Sequence, residues 1–418
     1  MTYYKTLRKR EVFTFDNLIY IKKNLILCWK FFLHLNKKLK NSHCDTEVLI
    51  IGGGLAGLTS AIHLTKMGCK VIVIEKNSYP KHKVCGEYIS NEVLPYFEWL
   101  GINIEELKPT HISTLKFSSE SGRTIETQLP LGGFGTSRFA LDEFLFQKAS
   151  AQKCEIIEDQ VNEVIFKEDY FEVHLSSGKI LTSKVVLGGF GKRSNLDMKM
   201  NRNFLQKKSP WLAVKAHYSG NFSDEVVGLH NFKGGYCGVS KVENNLLNIC
   251  YLTNFKSFKK YKNIEEFQQK VVSQNPHLKN ILENSNCVFE KPLTISQICF
   301  EKKENVEDHI LMMGDTAGLI HPLCGNGMAM AIHSAKLASE EVIEFLSEKI
   351  SREQMELNYS SNWNKNFKKR LWFGRILGNV LEHSKLSEIL TTLLTYFPFL
   401  LPMIIKKTHG KEIKINQN

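Results

Sequence analysis

An apolar run, Val48-Leu49-Ile50-Ile51, meets glycines at Gly52, Gly54 and Gly57; an amphipathic helical pattern then leads to a second apolar run, Val71-Ile72-Val73-Ile74, that ends in Glu75. Few patterns constrain a fold this tightly. Buried strand, G-x-G-x-x-G turn, helix, second strand and an acid 23 residues after the first glycine form the dinucleotide-binding βαβ unit in its required order. Gly52 permits the tight turn, Gly54 lets a pyrophosphate approach the backbone, and Gly57 lets the helix pack closely on the strand. The helix start presents unpaired N–H groups to the phosphates, and Glu75 accepts hydrogen bonds from a ribose. Alone, the motif does not choose between FAD and NAD.

The rest of the chain is read around that unit. Lys83-Val84-Cys85-Gly86-Glu87 falls in a turn-rich stretch, and 111–130 alternates as two strands around Glu120-Ser121-Gly122-Arg123. Gly135-Thr136-Ser137-Arg138-Phe139-Ala140-Leu141-Asp142 opens a helix to about Ala151, and short strands over 154–187 lead into Gly188-Gly189-Phe190-Gly191. Between 205 and 300 the pattern is that of an inserted sheet, with strands over 211–218 and 246–253 flanking Gly234-Gly235-Tyr236-Cys237-Gly238 and one helix over 264–282. A second glycine motif follows: Met313-Gly314-Asp315, then His321-Pro322-Leu323-Cys324-Gly325-Asn326-Gly327-Met328 and a helix over 328–347. Beyond it the pattern is helical. The late apolar run 389–405 sits at the lower limit for a membrane span and contains Pro398 and Pro402, so it reads as a lid over an apolar pocket or a segment dipping into one leaflet.

The net charge of +12 suggests nucleic acid until it is located. Residues 1–44 hold ten Lys/Arg against Glu11 and Asp16, so +8 of the excess lies outside the expected catalytic body, which has no arginine-rich stripe; no nucleic-acid partner is expected. The segment 25–35 is too short to span a membrane and lacks a cleavage site; a basic amphipathic helix on a membrane surface and an extension without fixed structure both fit it. The ten cysteines are scattered, without C-x-x-C or zinc-like spacing. They read as reduced thiols in the cytoplasm, with no metal, and with a peripheral seat on the inner face of the membrane as a further expectation.

With these motifs in this order over about 46–350, the chain resembles the flavoprotein superfamily of aromatic hydroxylases, geranylgeranyl reductases and flavin-dependent halogenases. Lys83-Val84-Cys85-Gly86 resembles most the geranylgeranyl reductase branch. The resemblance implies an α/β fold: a Rossmann-like FAD-binding domain of the glutathione reductase type with an inserted mixed-sheet substrate domain and a helical C-terminal region. Its parts would be a basic extension (1–45), FAD-binding segments (46–110, 135–204 and 301–350), a substrate-domain hairpin (111–134), a substrate domain (205–300) and the helical region (351–418).

Carried over residue by residue, the resemblance places the ADP half of FAD at Gly52, Gly54, Leu55, Ala56, Gly57, Glu75 and Lys76. Further contacts fall at Cys85, Gly86 and Val161. Arg138 would meet the pyrophosphate or ribityl region and Asp315, after Gly314, the ribityl chain. Pro322, Gly325, Asn326, Gly327 and Met328 would lie against the isoalloxazine. Phe190 stands where hydroxylases carry an Asp, which points away from direct NADPH reduction at the usual surface and leaves NAD(P)H or a protein as the electron donor. The halogenase Trp-x-Trp-x-Ile-Pro motif is absent.

The expected activity is an FAD-dependent oxidoreductase on an apolar isoprenoid or alkyl substrate, reducing C=C bonds. The alternatives are a monooxygenase of an aromatic or lipid substrate and a non-catalytic prenyl-lipid-binding protein of the same fold, as in Rab-escort proteins. Cys85, Tyr236 and His321 are the candidate catalytic residues, with Cys324 beside them.

Overall fold

Valine and isoleucine on both faces of Thr46–Ile51 and Val71–Glu75 leave no polar side for water, so these strands take the middle of a parallel sheet. The computed structural model describes residues 44–207 and 209–415. It orders this sheet as Val306–Glu307, Ile310–Met312, Ile180–Gly188, Thr46–Ile51, Val71–Glu75 and Glu155–Glu158. Val48 faces Val71 on one side and Val185 on the other. The second glycine motif returns to the same sheet, with Leu311 and Met312 parallel to Leu187 and Gly188. Both glycine turns therefore leave parallel strands, one on each side of Ile180–Gly188, at the same end of the sheet. The helices that follow them, Leu55–Lys66 and Gly327–Leu346, pack together closely enough for Ser60 Oγ to reach the Ala335 carbonyl at 3.3 Å.

The second sheet has nine strands, ordered Ser285–Cys287, Trp211–Gly220, Leu247–Asn254, Gly235–Lys241, Val226–Phe232, Thr110–Ser118, Thr124–Gly135 and Tyr88–Ser90, with Leu293–Ser296 also on Trp211–Gly220. Only Val226–Phe232 and Thr110–Ser118 pair in parallel. Alternation along these strands gives the sheet two apolar faces. Leu212, Val214 and Tyr251 pack on Phe267, Val272 and Leu278 of the following helices, while Ala213, Phe117, Tyr236 and Leu252 look the other way, toward Leu319 and Leu323.

Two sequence expectations are corrected here. The helix over 264–282 is two, Ile264–Lys270 and Pro276–Glu283, because Pro276 has no N–H to continue the first and Asn275 caps the second through His277 and Leu278. The glycines at 234–238 do not merely separate strands; Gly235–Lys241 is itself a central one. The run 389–405 is split between Ser384–Tyr396 and Leu400–Thr408, bent by 119° across Pro398. Among the described residues no single helix is long and apolar enough to cross a membrane. The basic segment 1–43 lies outside the described residues; from Thr46 onward the chain is one compact unit.

Candidate cofactor and substrate site

A cavity of about 700 Å³ runs from the first glycine turn to the C-terminal helices. At its phosphate end, Gly52 takes φ +98° and an added Cβ would meet the Gly189 carbonyl oxygen at 2.4 Å, so only glycine fits. A Cβ on Gly57 would strike Gly52 O at 1.9 Å, whereas at Gly54 the nearest atom is Arg138 Nη2 at 3.6 Å. Gly52 and Gly57 are therefore fixed by packing, and Gly54 keeps a space open beside a guanidinium. The helix Leu55–Lys66 starts at Gly54 without a side-chain cap, leaving its first N–H groups for a ligand. Arg138 is aimed by a two-point pair with Asp142 (Nε–Oδ1 2.7 Å, Nη2–Oδ2 2.8 Å), which Lys83 Nζ joins at 2.7 Å. Glu75 Oε2 accepts from Gly53 N at 2.7 Å and so faces the same turn.

The second glycine motif closes the opposite side. Gly314 has φ +55° and donates its N–H to Ser334 Oγ at 2.8 Å, and Asp315 borders the cavity. The helix Gly327–Leu346 also begins without a side-chain cap, with Gly325, Gly327 and Met328 on the wall. Two buried cations that sequence reasoning missed hold this loop. Lys303 Nζ donates to the carbonyls of Lys192 and Asp315, both at 2.8 Å, and Arg202 Nη1 donates to the Thr316 carbonyl at 3.0 Å. Burial lowers the Lys303 pKa to about 8, against the pull of Asp197 and Asp315, so it stays largely charged at neutral pH.

Below Cys85 and Gly86 lies a second missed group. Glu87 is wholly buried; its Oε1 accepts from Lys215 Nζ at 2.7 Å and from Arg138 N at 2.8 Å, and its Oε2 pairs with His217 Nε2 at 2.7 Å. Burial alone would raise this carboxyl's pKa, but the His217 hydrogen bond and the Lys215 charge hold it below the ordinary value. Glu87 also has φ 54°, a left-handed conformation that costs a non-glycine residue roughly 1–2 kcal/mol, so the surrounding contacts fix this turn against its local preference.

Three residues assigned to the site from the sequence do not border the cavity: Gly57, Asn326 and His321. Gly57 serves packing, as above. Asn326 turns its Oδ1 to Arg370 Nη1 at 3.4 Å, so what it offers the site is backbone at the helix start. His321 is directed behind the loop into a box of Trp211, Tyr236 and Phe300 rings, 4.6–6.1 Å between centroids; neither ring nitrogen has a hydrogen-bond partner, and burial lowers its pKa to about 4.

Tyr236, Cys85 and Cys324 do border the cavity, as do Lys76 and Val161. Burial pushes the Tyr236 phenol well above its ordinary pKa and the Cys324 thiol up to about 12, so both remain protonated at neutral pH. Beyond them the wall turns apolar: Leu115, Phe117, Val227 and Leu229 from the sheet face Leu390 and Leu394 from the C-terminal helices.

An open glycine cradle, a paired arginine and two uncapped helix starts around one cavity fit FAD. A family profile described as an FAD binding domain matches residues 45–155. The chain is 22% identical to the digeranylgeranylglycerophospholipid reductase 2 of Methanothermobacter thermautotrophicus, over 83% of this chain and 91% of that one. It is also 22% identical to the conditioned medium factor receptor 1 of Dictyostelium discoideum, over 76% and 67%. The solved structure of a flavin-dependent brominase superposes with a TM-score of 0.72 at 16% identity, covering 87% of this chain and 93% of that chain, and shares the fold. These likenesses support a place among FAD-dependent oxidoreductases without separating their branches. The chain is an enzyme, and FAD is its cofactor.

Proposed function

We propose that this oxidoreductase reduces carbon–carbon double bonds in a long apolar chain of the isoprenoid or alkyl class. The observation that carries this reading is the continuity of the cavity: the compartment bordered by Gly314, Gly325 and Met328 opens without a partition into the apolar one between Leu115, Val227 and Leu394. The relative that reduces a digeranylgeranyl lipid supports it. The chemistry that FAD would supply when bound and reduced is a hydride from N5.

The protein's share is orientation, charge and exclusion of water. Arg138, held by Asp142, which Lys83 also pairs with, would take the pyrophosphate; the helix start at Gly327 and Met328 would favour negative charge on the ring system. The apolar wall holds the chain dry. Tyr236, a protonated phenol on that wall, is assigned to deliver the proton that completes the addition.

The test is anaerobic reduction of the FAD-loaded protein, addition of a membrane-lipid extract, and mass analysis before and after air is admitted. Reoxidation without oxygen and products heavier by two hydrogens are expected. Reoxidation only in air, with one oxygen gained, would make the protein a monooxygenase instead.

A further inference from the structure

The two short C-terminal helices have two apolar faces. Leu394, Leu401 and Ile405 are 2–6% exposed and close the cavity, while on the other side Ile389 is 64% exposed, Tyr396 78%, Phe399 63% and Met403 55%. The inner face is pinned to the sheet: Asn231 Nδ2 donates to Ser387 Oγ at 2.6 Å, Arg123 to Thr392 Oγ1, and Ser121 N to Glu388 Oε1 at 3.2 Å. The hairpin is thus seated, and its outer apolar face is presented, not frayed. Exposed apolar patches of this kind mark interaction surfaces.

We propose that this outer face docks on an anionic lipid bilayer, with the apex Tyr396-Phe397-Pro398-Phe399 at headgroup depth. Arms of 13 and 9 residues, roughly 20 and 14 Å long, bent by 119°, are too short to cross the ~30 Å hydrocarbon layer but suit a shallow seat within one leaflet. Exposed Lys385, Lys406 and Lys407 belong to the same pair of helices, and the acid there, Glu388, is engaged with Ser121. Lysines around aromatic and aliphatic side chains complement phosphate over hydrocarbon. A second copy of this chain on the same patch would set these lysines against one another.

The bilayer would then touch the outside of the wall whose inside holds the substrate, so an apolar chain would enter from the lipid phase. That last step rests on the reading of the site as an alkene reductase.

The experiment is flotation of the full-length, FAD-loaded protein with vesicles of phosphatidylcholine alone or with a third phosphatidylglycerol. The variants are Tyr396→Ser/Phe397→Ser/Phe399→Ser and Lys406→Glu/Lys407→Glu, with bound-flavin absorbance as the check on folding. Preference for the anionic vesicles, with a loss of about tenfold or more in each variant at unchanged flavin content, is expected. Indifference of the native protein to anionic vesicles overturns the proposal. So does apex-variant binding equal to native, or a native dimer that the apex variant dissolves. Reduction of detergent-solubilised polyprenyl lipid, measured alongside, separates the two readings: docking without reduction leaves the surface assignment standing and removes the substrate, and reduction without docking does the reverse.

Discussion

The ammonium of Lys215 is wholly buried and balanced by Glu87 Oε1 at 2.7 Å, so Glu87→Gln leaves a cation beneath the flavin compartment without its counter-charge. The expected cost is about 3–5 kcal/mol in urea unfolding of the FAD-loaded protein. Glu87→Gln/Lys215→Met should recover much of it, since the desolvated charge is gone; a double variant no better than the single one would show that the pair acts through something else. Tyr236→Phe tests the proton donor: FAD content is expected to stay as it is while alkene reduction slows by about 10²-fold, and an unchanged rate removes the phenol from the step. These residues also mark what the sequence shows and what it hides. Gly52, Gly54 and Gly57 are legible because their work is local, set by spacing within one turn. Lys215 and His217 lie in a strand 128 and 130 residues from Glu87, where alternation makes a lysine read as solvent-facing, and pairing at that separation leaves no trace in spacing.

Among the elements, strands and helices with a single consistent pattern were readable: Gly327–Leu346 and Trp211–Gly220 end within two residues of their expected bounds. Elements whose limits depend on a competing cap were not, as where Asn275 and Pro276 start a new helix inside a pattern that reads as one. The late apolar run shows the same limit at larger size, because composition reports that 389–405 is apolar without reporting that its residues face in two directions. That division gives the element its test. Leu394 is on the inner face and 2% exposed, so Leu394→Trp adds bulk to the apolar compartment at a distance in sequence from every glycine turn. KM for a long polyprenyl lipid is expected to rise several-fold while flavin content and the rate with a short alkene hold. Equal effects on long and short substrates would mean that the helix does not line the chain's path.

At the scale of the whole molecule, interleaved chain segments build two sheets with one cavity bordered by both, and that arrangement buries histidines as well as hydrocarbon. The fold class was legible from motif order, yet no motif reports which histidines end up dry. His63, His230 and His321 are at most 5% exposed, and burial, aided for the first two by neighbouring cations, lowers their pKa from 6.5 to about 3, 3 and 4. In the unfolded chain they regain ordinary values near 6.5, so between pH 6.5 and 4 the unfolded state binds more protons than the folded one, and stability falls as pH falls. Each contributes up to about 1.4 kcal/mol per pH unit once well below 6.5, and the three together remove about 5 kcal/mol between pH 6.5 and pH 5. That is comparable to the whole stability of many domains, about 5–15 kcal/mol. Urea unfolding of the FAD-loaded protein across this range is therefore expected to show a steep acid loss, already developed above the ordinary carboxylate range. His321 makes no hydrogen bond to lose, so His321→Leu should reduce that loss by its own share, about 1.5 kcal/mol, with the remainder spread over the other buried and half-buried histidines, which include His82, His333 and His409. A slope unchanged by the substitution would place the acid sensitivity in other groups.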